Sequence, residues 1–279
     1  MSSYFYYTLY NGVMNTESFQ ELIWQQGRAL YRDMPWRQNT DPYRVLVSEL
    51  MLQQTQVDRV IPKFEQFLQD FPTIQDLAKA PLGDVLTVWS GLGYNRRAKF
   101  LHEAAKKVVA EFDGKMPTTK EDLTSLPGVG VNTAGAILAY SYNQPFSFIE
   151  TNVRTVYFHH YFDDQPLVSD KELQKLVEET IDQENPREWY WALMDYGSYL
   201  KKQGAGRLDK SSHYKKQAPL KGSLREVRGM ILKLLKDHDY RESELKASLP
   251  QDERFAQALD GLLKDGLISR TDERLHLPR

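Results

Sequence analysis

Apolar residues recur at three- and four-residue intervals through most of the chain, and that spacing predicts helices. Residues 17–33 read as an amphipathic helix. Met34-Pro-Trp-Arg37 and a turn through Asn39-Thr-Asp-Pro42 separate it from a helix running from about Pro42 to Gln54, with Val45, Leu46, Leu50 and Met51 near helical spacing. Further helices are predicted at 56–70, 73–79, 81–91, 95–112, 118–125 and 131–143, then at 150–165, 169–183 and 186–202. Trp24, Trp189 and Trp191 fall within amphipathic helices and are expected in the core. No convincing strand pattern occurs in the first 200 residues, so the fold class is all-α. From residue 222 the pattern differs. A helix at 223–237 carries Val227, Met230, Ile231, Leu234 and Leu235, and others follow at 241–248 and 251–265. Gly266–Leu277 then alternates as strand, charged turn and strand, with Thr271–Arg274 at the tip. Three helices closed by a hairpin predict a winged-helix-like segment over 222–279, which would bind DNA or serve as a protein contact.

Composition sharpens this picture at a few points. A length of 279 residues suggests two domains. Mean hydropathy is −0.58, and no apolar run approaches the roughly 20 residues that span a bilayer. The N-terminus has no basic region leading into an apolar core, so a cytoplasmic protein without membrane contact is expected. There is no cysteine, which excludes disulfides, thiol chemistry and cysteine-ligated zinc or iron–sulfur centres. The six histidines show no metal-ligand spacing; the adjacent His159 and His160 would face different sides of a helix. Neither a metal nor a cofactor is therefore expected. Net charge is −2, so any contact with nucleic acid must come from local patches. One patch is evident: residues 201–221 hold Lys201, Lys202, Arg207, Lys210, Lys215, Lys216 and Lys221 against a single acid, Asp209. Such a run is either a solvated linker or a phosphate-contacting loop.

The stretch Leu126-Pro-Gly-Val-Gly-Val-Asn-Thr-Ala-Gly135 organises the middle of the chain. Pro127 stops one helix, Gly128 and Gly130 are expected to take left-handed dihedrals, and a new helix starts at Val131. Backbone N–H groups at such a turn seat a phosphate. The motif resembles the helix-hairpin-helix of DNA repair glycosylases, in which the hairpin grips the DNA backbone; Gly128, Val129 and Gly130 are the corresponding residues. Glycosidic cleavage in DNA needs an extruded base, a proton for the leaving base and an anion near the oxocarbenium-like sugar. Two carboxylates in different environments meet the last two needs. Glu49, on a helix rich in Leu, Met and Val, is the first candidate, because apolar neighbours keep a carboxylic acid protonated. Glu150, just past the hairpin helix, is the second.

Pro35-Trp-Arg37, Asp41-Pro-Tyr43, Ser48-Glu-Leu-Met-Leu-Gln-Gln-Thr-Gln-Val57, Gly91-Leu-Gly-Tyr94, Leu126-Pro-Gly-Val-Gly130 and Ala192-Leu-Met-Asp-Tyr-Gly197 stand in the order and at the spacing of one family. Over about residues 20–200 the chain resembles the MutY adenine DNA glycosylases of the endonuclease III superfamily. The resemblance implies a two-lobed helix-hairpin-helix glycosylase core over 17–200, with a six-helix lobe at about 34–148. It implies that Glu49 protonates the departing adenine and activates water, and that Glu150 stabilises the sugar cation. Trp36, Arg37 and Leu52 match residues that line the base pocket, with Asn132 and Asn152 beside them. Gln54 and Thr55 match residues placed near the unpaired opposite base, and Gln53 beside them is a candidate DNA contact. The implied partner is double-stranded DNA holding a mispaired base, bound by a monomer.

The departures from the family are also informative. Glu150 stands where the superfamily has Asp, one methylene shorter and a better helix cap. Asn132 stands where bifunctional relatives have a Schiff-base lysine, which implies a monofunctional enzyme. Asn95 replaces the second aromatic of Gly-Leu-Gly-Tyr-Tyr, beside Tyr94. Lys201 takes the first position of a four-cysteine iron–sulfur loop, so the basic segment 201–221 replaces that cluster. The family's C-terminal reader of 8-oxoguanine is missing, and residues 222–279 stand in its place. Excision of a pyrimidine opposite guanine stays open on these grounds. So does a non-catalytic lesion-binding role, while a regulator working through 222–279 would need sequence-specific binding by that segment alone.

Overall fold

The computed structural model describes residues 14–162, 167–206, 219–250 and 252–279. In chain order the helices are α1 (Thr16–Leu30), α2 (Pro35–Gln38), α3 (Pro42–Leu52), α4 (Val57–Asp70), α5 (Ile74–Lys79), α6 (Leu82–Trp89), α7 (Arg96–Glu111), α8 (Lys120–Thr124), α9 (Val131–Tyr142), α10 (Thr151–Tyr161), α11 (Asp170–Thr180) and α12 (Pro186–Lys202). The C-terminal segment adds α13 (Leu224–Leu235), β1 (Tyr240–Arg241), α14 (Glu242–Ala247), α15 (Arg254–Lys264), β2 (Ser269–Thr271) and β3 (Arg274–His276). The fold is all-α with a small terminal sheet.

Helix starts coincide with capping side chains. Asn15 accepts from the N–H of Ser18 at 2.8 Å. Asp41 accepts from Tyr43 and Arg44 at 3.0 and 3.3 Å, with Pro42 at the first helical position of α3. Thr73 with Asp76 and Ser169 with Glu172 form reciprocal capping boxes. The helix expected over 42–54 ends at Leu52, because Gln54 adopts φ 57°, a left-handed conformation that breaks the i→i−4 ladder. The terminal sheet has the order β1-β3-β2 and is antiparallel throughout. Its hairpin tip is Asp272-Glu273, both at positive φ, while Thr271 and Arg274 pair across the strands. β1 is too short to leave a periodic signal.

The described residues fall into two compact units. One contains the chain up to Asp33 and residues from Gly135 to the basic segment. Here α12 packs against both α1 and α10, around fully buried Phe19, Ile23, Tyr157, Phe158, Trp189 and Tyr190. Of the three tryptophans expected in this core, Trp189 is fully buried, and Trp24 and Trp191 are half-buried. Gly27 permits the closest approach: a Cβ there would lie 2.4 Å from that of Ala192. His160 bonds Tyr196 Oη at 2.9 Å, and burial pushes its pKa down to about 3, so it sits neutral among these side chains.

The other unit joins Met34–Ala134 to the C-terminal segment. Leu46, Leu50, Phe64, Phe67, Trp89 and Leu101 form its centre. The terminal residues are bonded directly onto the preceding helices. Gly83 N–H donates to Pro278 O at 2.7 Å, and Lys99 Nζ to Asp265 O at 2.7 Å. No described helix is long and apolar enough to cross a membrane.

Candidate functional site

Glu49 lies half-buried on α3, between Ser48 and Leu50, both fully buried. Ser48 satisfies its hydroxyl on Val45 O at 2.9 Å. Glu49 is the one carboxylate of this helix. The short helix α2 packs against α3, bringing in Trp36 and the buried Arg37. The Trp36 ring is fixed edge-on to Phe64 at 5.4 Å. Leu52, Gln53 and Thr55 are half-buried and Gln54 is exposed.

Two loops meet beyond α3, and a residue that sequence reasoning passed over joins them. Arg97, only 6% exposed, donates from Nη1 to the carbonyls of Leu50, Met51 and Gln53 at 2.7, 2.8 and 2.5 Å. Its Nη2 donates to Thr55 Oγ1 at 3.1 Å and to Gly93 O at 3.0 Å. One guanidinium therefore answers the terminal carbonyls of α3 and ties the Gln53–Thr55 loop to the Gly91–Tyr94 loop. Burial lowers its pKa to about 10, the nearby Tyr94 acting in the opposite direction. Gln54 and Tyr94, non-glycine residues at φ 57° and 48°, are held strained in these two loops. Tyr94 and Asn95 are half-buried.

The hairpin closes through Val129 N–H on Leu126 O at 3.1 Å. Gly128 is left-handed (φ 78°), and a Cβ there would lie 2.7 Å from that of Phe100. Gly130 corrects the sequence expectation, since its φ is not positive. A Cβ there would meet nothing within 4 Å, so what glycine provides is a bare, exposed backbone at the start of α9. Asn132, expected in the base pocket, is exposed on the first turn of that helix.

The second carboxylate belongs to the other unit. Glu150 is the N-cap residue of α10, with extended φ −113° and ψ 179°, and makes no capping bond from its side chain. The longer side chain does not cap the helix as Asp would. Instead it accepts from Asn152 Nδ2 at 3.0 Å, and that amide also contacts Met194 Sδ at 3.6 Å. Burial pushes the Glu150 carboxyl above the usual carboxylate range; the Asn152 hydrogen bond and the charges of Lys201 and Arg32 pull it back. In return, burial lowers the Lys201 amine while Glu150 raises it. Lys201, read from sequence as a DNA contact, is thus half-buried within the field of Glu150, whereas Lys202 is exposed.

The Ala192–Gly197 motif supports this arrangement. Asp195, 2% exposed, accepts from Arg32 Nε at 2.6 Å and from Arg32 N–H at 3.1 Å. A Cβ on Gly197 would lie 2.4 Å from Asn152 O, so glycine is required for α12 to pass under the start of α10. The predicted contacts Arg207, Lys210, Lys215 and Lys216 lie outside the described residues.

A carboxyl that is harder to ionise folded than unfolded takes up protons on folding, and it costs stability once the pH exceeds both pKa values. Glu150→Gln is therefore expected to raise the Tm at about pH 8 and to leave it nearly unchanged at about pH 4. Thermal melts at the two pH values decide it; an equal shift at both would show that ionisation is not the cause.

With the geometry in place, comparison with known proteins assigns the family. Residues 47–183 match the HhH-GPD superfamily of base excision DNA repair proteins. The adenine DNA glycosylase of Mycobacterium tuberculosis is 32% identical over 281 residues, covering 92% of each chain. That of Buchnera aphidicola subsp. Baizongia pistaciae is 35% identical over 173 residues, covering 61% of this chain and 48% of its own. The chain thus spans 38–49% of the length of the Buchnera relatives it matches. Among solved structures, a thermostable thymine-DNA glycosylase superposes with a TM-score of 0.59 at 24% identity, over 66% of this chain and 86% of that one. The chain belongs to the HhH-GPD superfamily of base excision DNA repair proteins.

Proposed function

We propose that the protein is a monofunctional DNA glycosylase that hydrolyses the N-glycosidic bond of an adenine mispaired in duplex DNA. The observation that carries this reading is the presence of both carboxylates in a chain that aligns almost end to end with a mycobacterial adenine DNA glycosylase. The likeness to a thymine-DNA glycosylase bears on the fold alone and does not favour a pyrimidine.

The reaction divides between the two acids. Glu49 gives its proton to the extruded adenine as the C1′–N9 bond breaks and the electron pair leaves with the base. The ionised Glu150 offsets the positive charge left on the sugar. This explains why Asn152, Lys201 and Arg32 act against the effect of burial there. Water then adds to C1′, and its proton passes to the Glu49 carboxylate, restoring the acid. Asn132 cannot form a Schiff base, so the abasic strand stays intact. Backbone at Gly128–Gly130 and the basic residues Lys202, Arg207, Lys210, Lys215 and Lys216 would contact phosphates.

Base release from labelled duplexes tests the substrate. Adenine opposite 8-oxoguanine or guanine is expected to be released faster than adenine opposite cytosine, and thymine or uracil opposite guanine to stay in place. Release of pyrimidines alone would overturn the substrate and keep the chemistry.

A further inference from the structure

The cations on the elements around Glu150 are not equivalent. Arg154, on α10 itself, pairs with Asp170 at 2.5 Å. Arg32 is committed to Asp195 at 2.6 Å, and its Nη groups reach Ser198 Oγ and Met194 O at 3.4 and 3.3 Å. Lys201, on the last turn of α12, enters no ion pair within 4 Å among the described residues. The acid whose charge it feels is Glu150. Its stem is held in place by the way α12 ends. Gly204 takes φ 80°, its N–H donates to Lys201 O at 3.1 Å, and Ala205 N–H donates to Leu200 O at 2.9 Å. The chain so reversed lies against the Lys201 side chain, where a Cβ on Gly206 would stand 3.2 Å from Cγ.

Glu150 needs such a neighbour. A shorter acid at an N-cap is kept ionised by the backbone N–H groups that it accepts from. Glu150 makes no capping bond, and its one donor is Asn152 Nδ2 at 3.0 Å. That amide supplies a hydrogen bond and no charge, while a buried carboxylate is costly until a charge answers it. We infer that Lys201 is a positioning residue of the glycosylase site: its ammonium, held by the turn at 203–206, is the countercharge that lets a glutamate serve at position 150. Two departures from the family, Glu at 150 and Lys at 201, are then explained together, and Lys201 is withdrawn from the DNA backbone. The inference rests on the glycosylase reading above for the work that Glu150 does, and not for the pairing itself.

The test is a double-mutant cycle in the full chain: wild type, Lys201→Met, Glu150→Gln and the double variant, melted at about pH 8 and about pH 4. At the higher pH, Lys201→Met is expected to lower the Tm by a few degrees when Glu150 is present. In the Glu150→Gln background it should leave the Tm unchanged or raise it, since a buried ammonium without its acid is itself costly. At the lower pH the carboxyl is protonated, the charge pair is absent, and the two backgrounds should respond alike. Lys201→Gln covers the case in which the apolar variant misfolds. In base release from an adenine mispair, Lys201→Met should be slower by roughly tenfold below neutral pH. The acid limb of its pH–rate profile should move to higher pH, and Lys201→Arg, which keeps the charge, should restore it. Equal Tm changes in both backgrounds at the higher pH would overturn the inference, because only the stem would then matter. An acid limb that stays in place would do the same. So would weaker binding to an abasic-analogue duplex with a shallower salt dependence, the mark of a phosphate contact. Coupling at the higher pH in a protein that releases no adenine would sink the proposed activity and leave the pairing standing.

Discussion

Glu49→Gln is expected to remove base release almost entirely, by roughly 10²- to 10⁴-fold in the single-turnover rate, the range that a positioned proton donor contributes. Gln keeps the shape and hydrogen-bonding capacity of the acid and cannot transfer the proton. Glu49 itself is half-buried on α3, between the buried Ser48 and Leu50. An uncharged Gln should sit there at least as comfortably as Glu, so the Tm and the affinity for an abasic duplex should hold. This combination separates chemistry from folding: rate lost, binding kept. A variant retaining more than roughly a tenth of the rate would show that the proton comes from elsewhere.

The second large effect concerns Arg97, and it is structural. Arg97→Met should destabilise the fold by about 3 kcal/mol, because it strands the carbonyls of Leu50, Met51 and Gln53 at the buried end of α3. Relief of the buried charge, evident in the guanidinium's lowered pKa, offsets part of that loss. The loop geometry at Gln54 and Tyr94 should relax with it, since strained dihedrals persist only while their surroundings impose them. Chemical denaturation measures the first effect. Affinity for a duplex carrying an abasic analogue, expected to weaken, measures the second. An unchanged midpoint would mean that α3 ends well without the clasp.

The same two residues show what was legible in the chain. Glu49 stands out in the sequence because a carboxylate among Leu, Met and Val at helical spacing is a local pattern, and the motif around it is contiguous. Gly128 could be found because Pro-Gly marks a turn by its own chemistry. Arg97 was passed over because its partners lie 42 to 47 positions earlier, and periodicity gives the buried face of a helix without saying what that face meets. Asp195 stood in a recognised motif, yet its role depends on Arg32, 163 positions away. Gly130 was misread for another reason: glycine permits a left-handed φ and does not require one. Glu150 was half-legible. Its poor capping followed from its length, while its ties to Asn152 and Lys201 depended on packing.

Product analysis of a single reaction on an adenine-containing mispair, with borohydride present, tests the central claim most directly. The account predicts free adenine by mass, an intact strand bearing an abasic site, no protein–DNA adduct, and none of this with Glu49→Gln. A trapped covalent adduct, or a released base other than adenine, would contradict it.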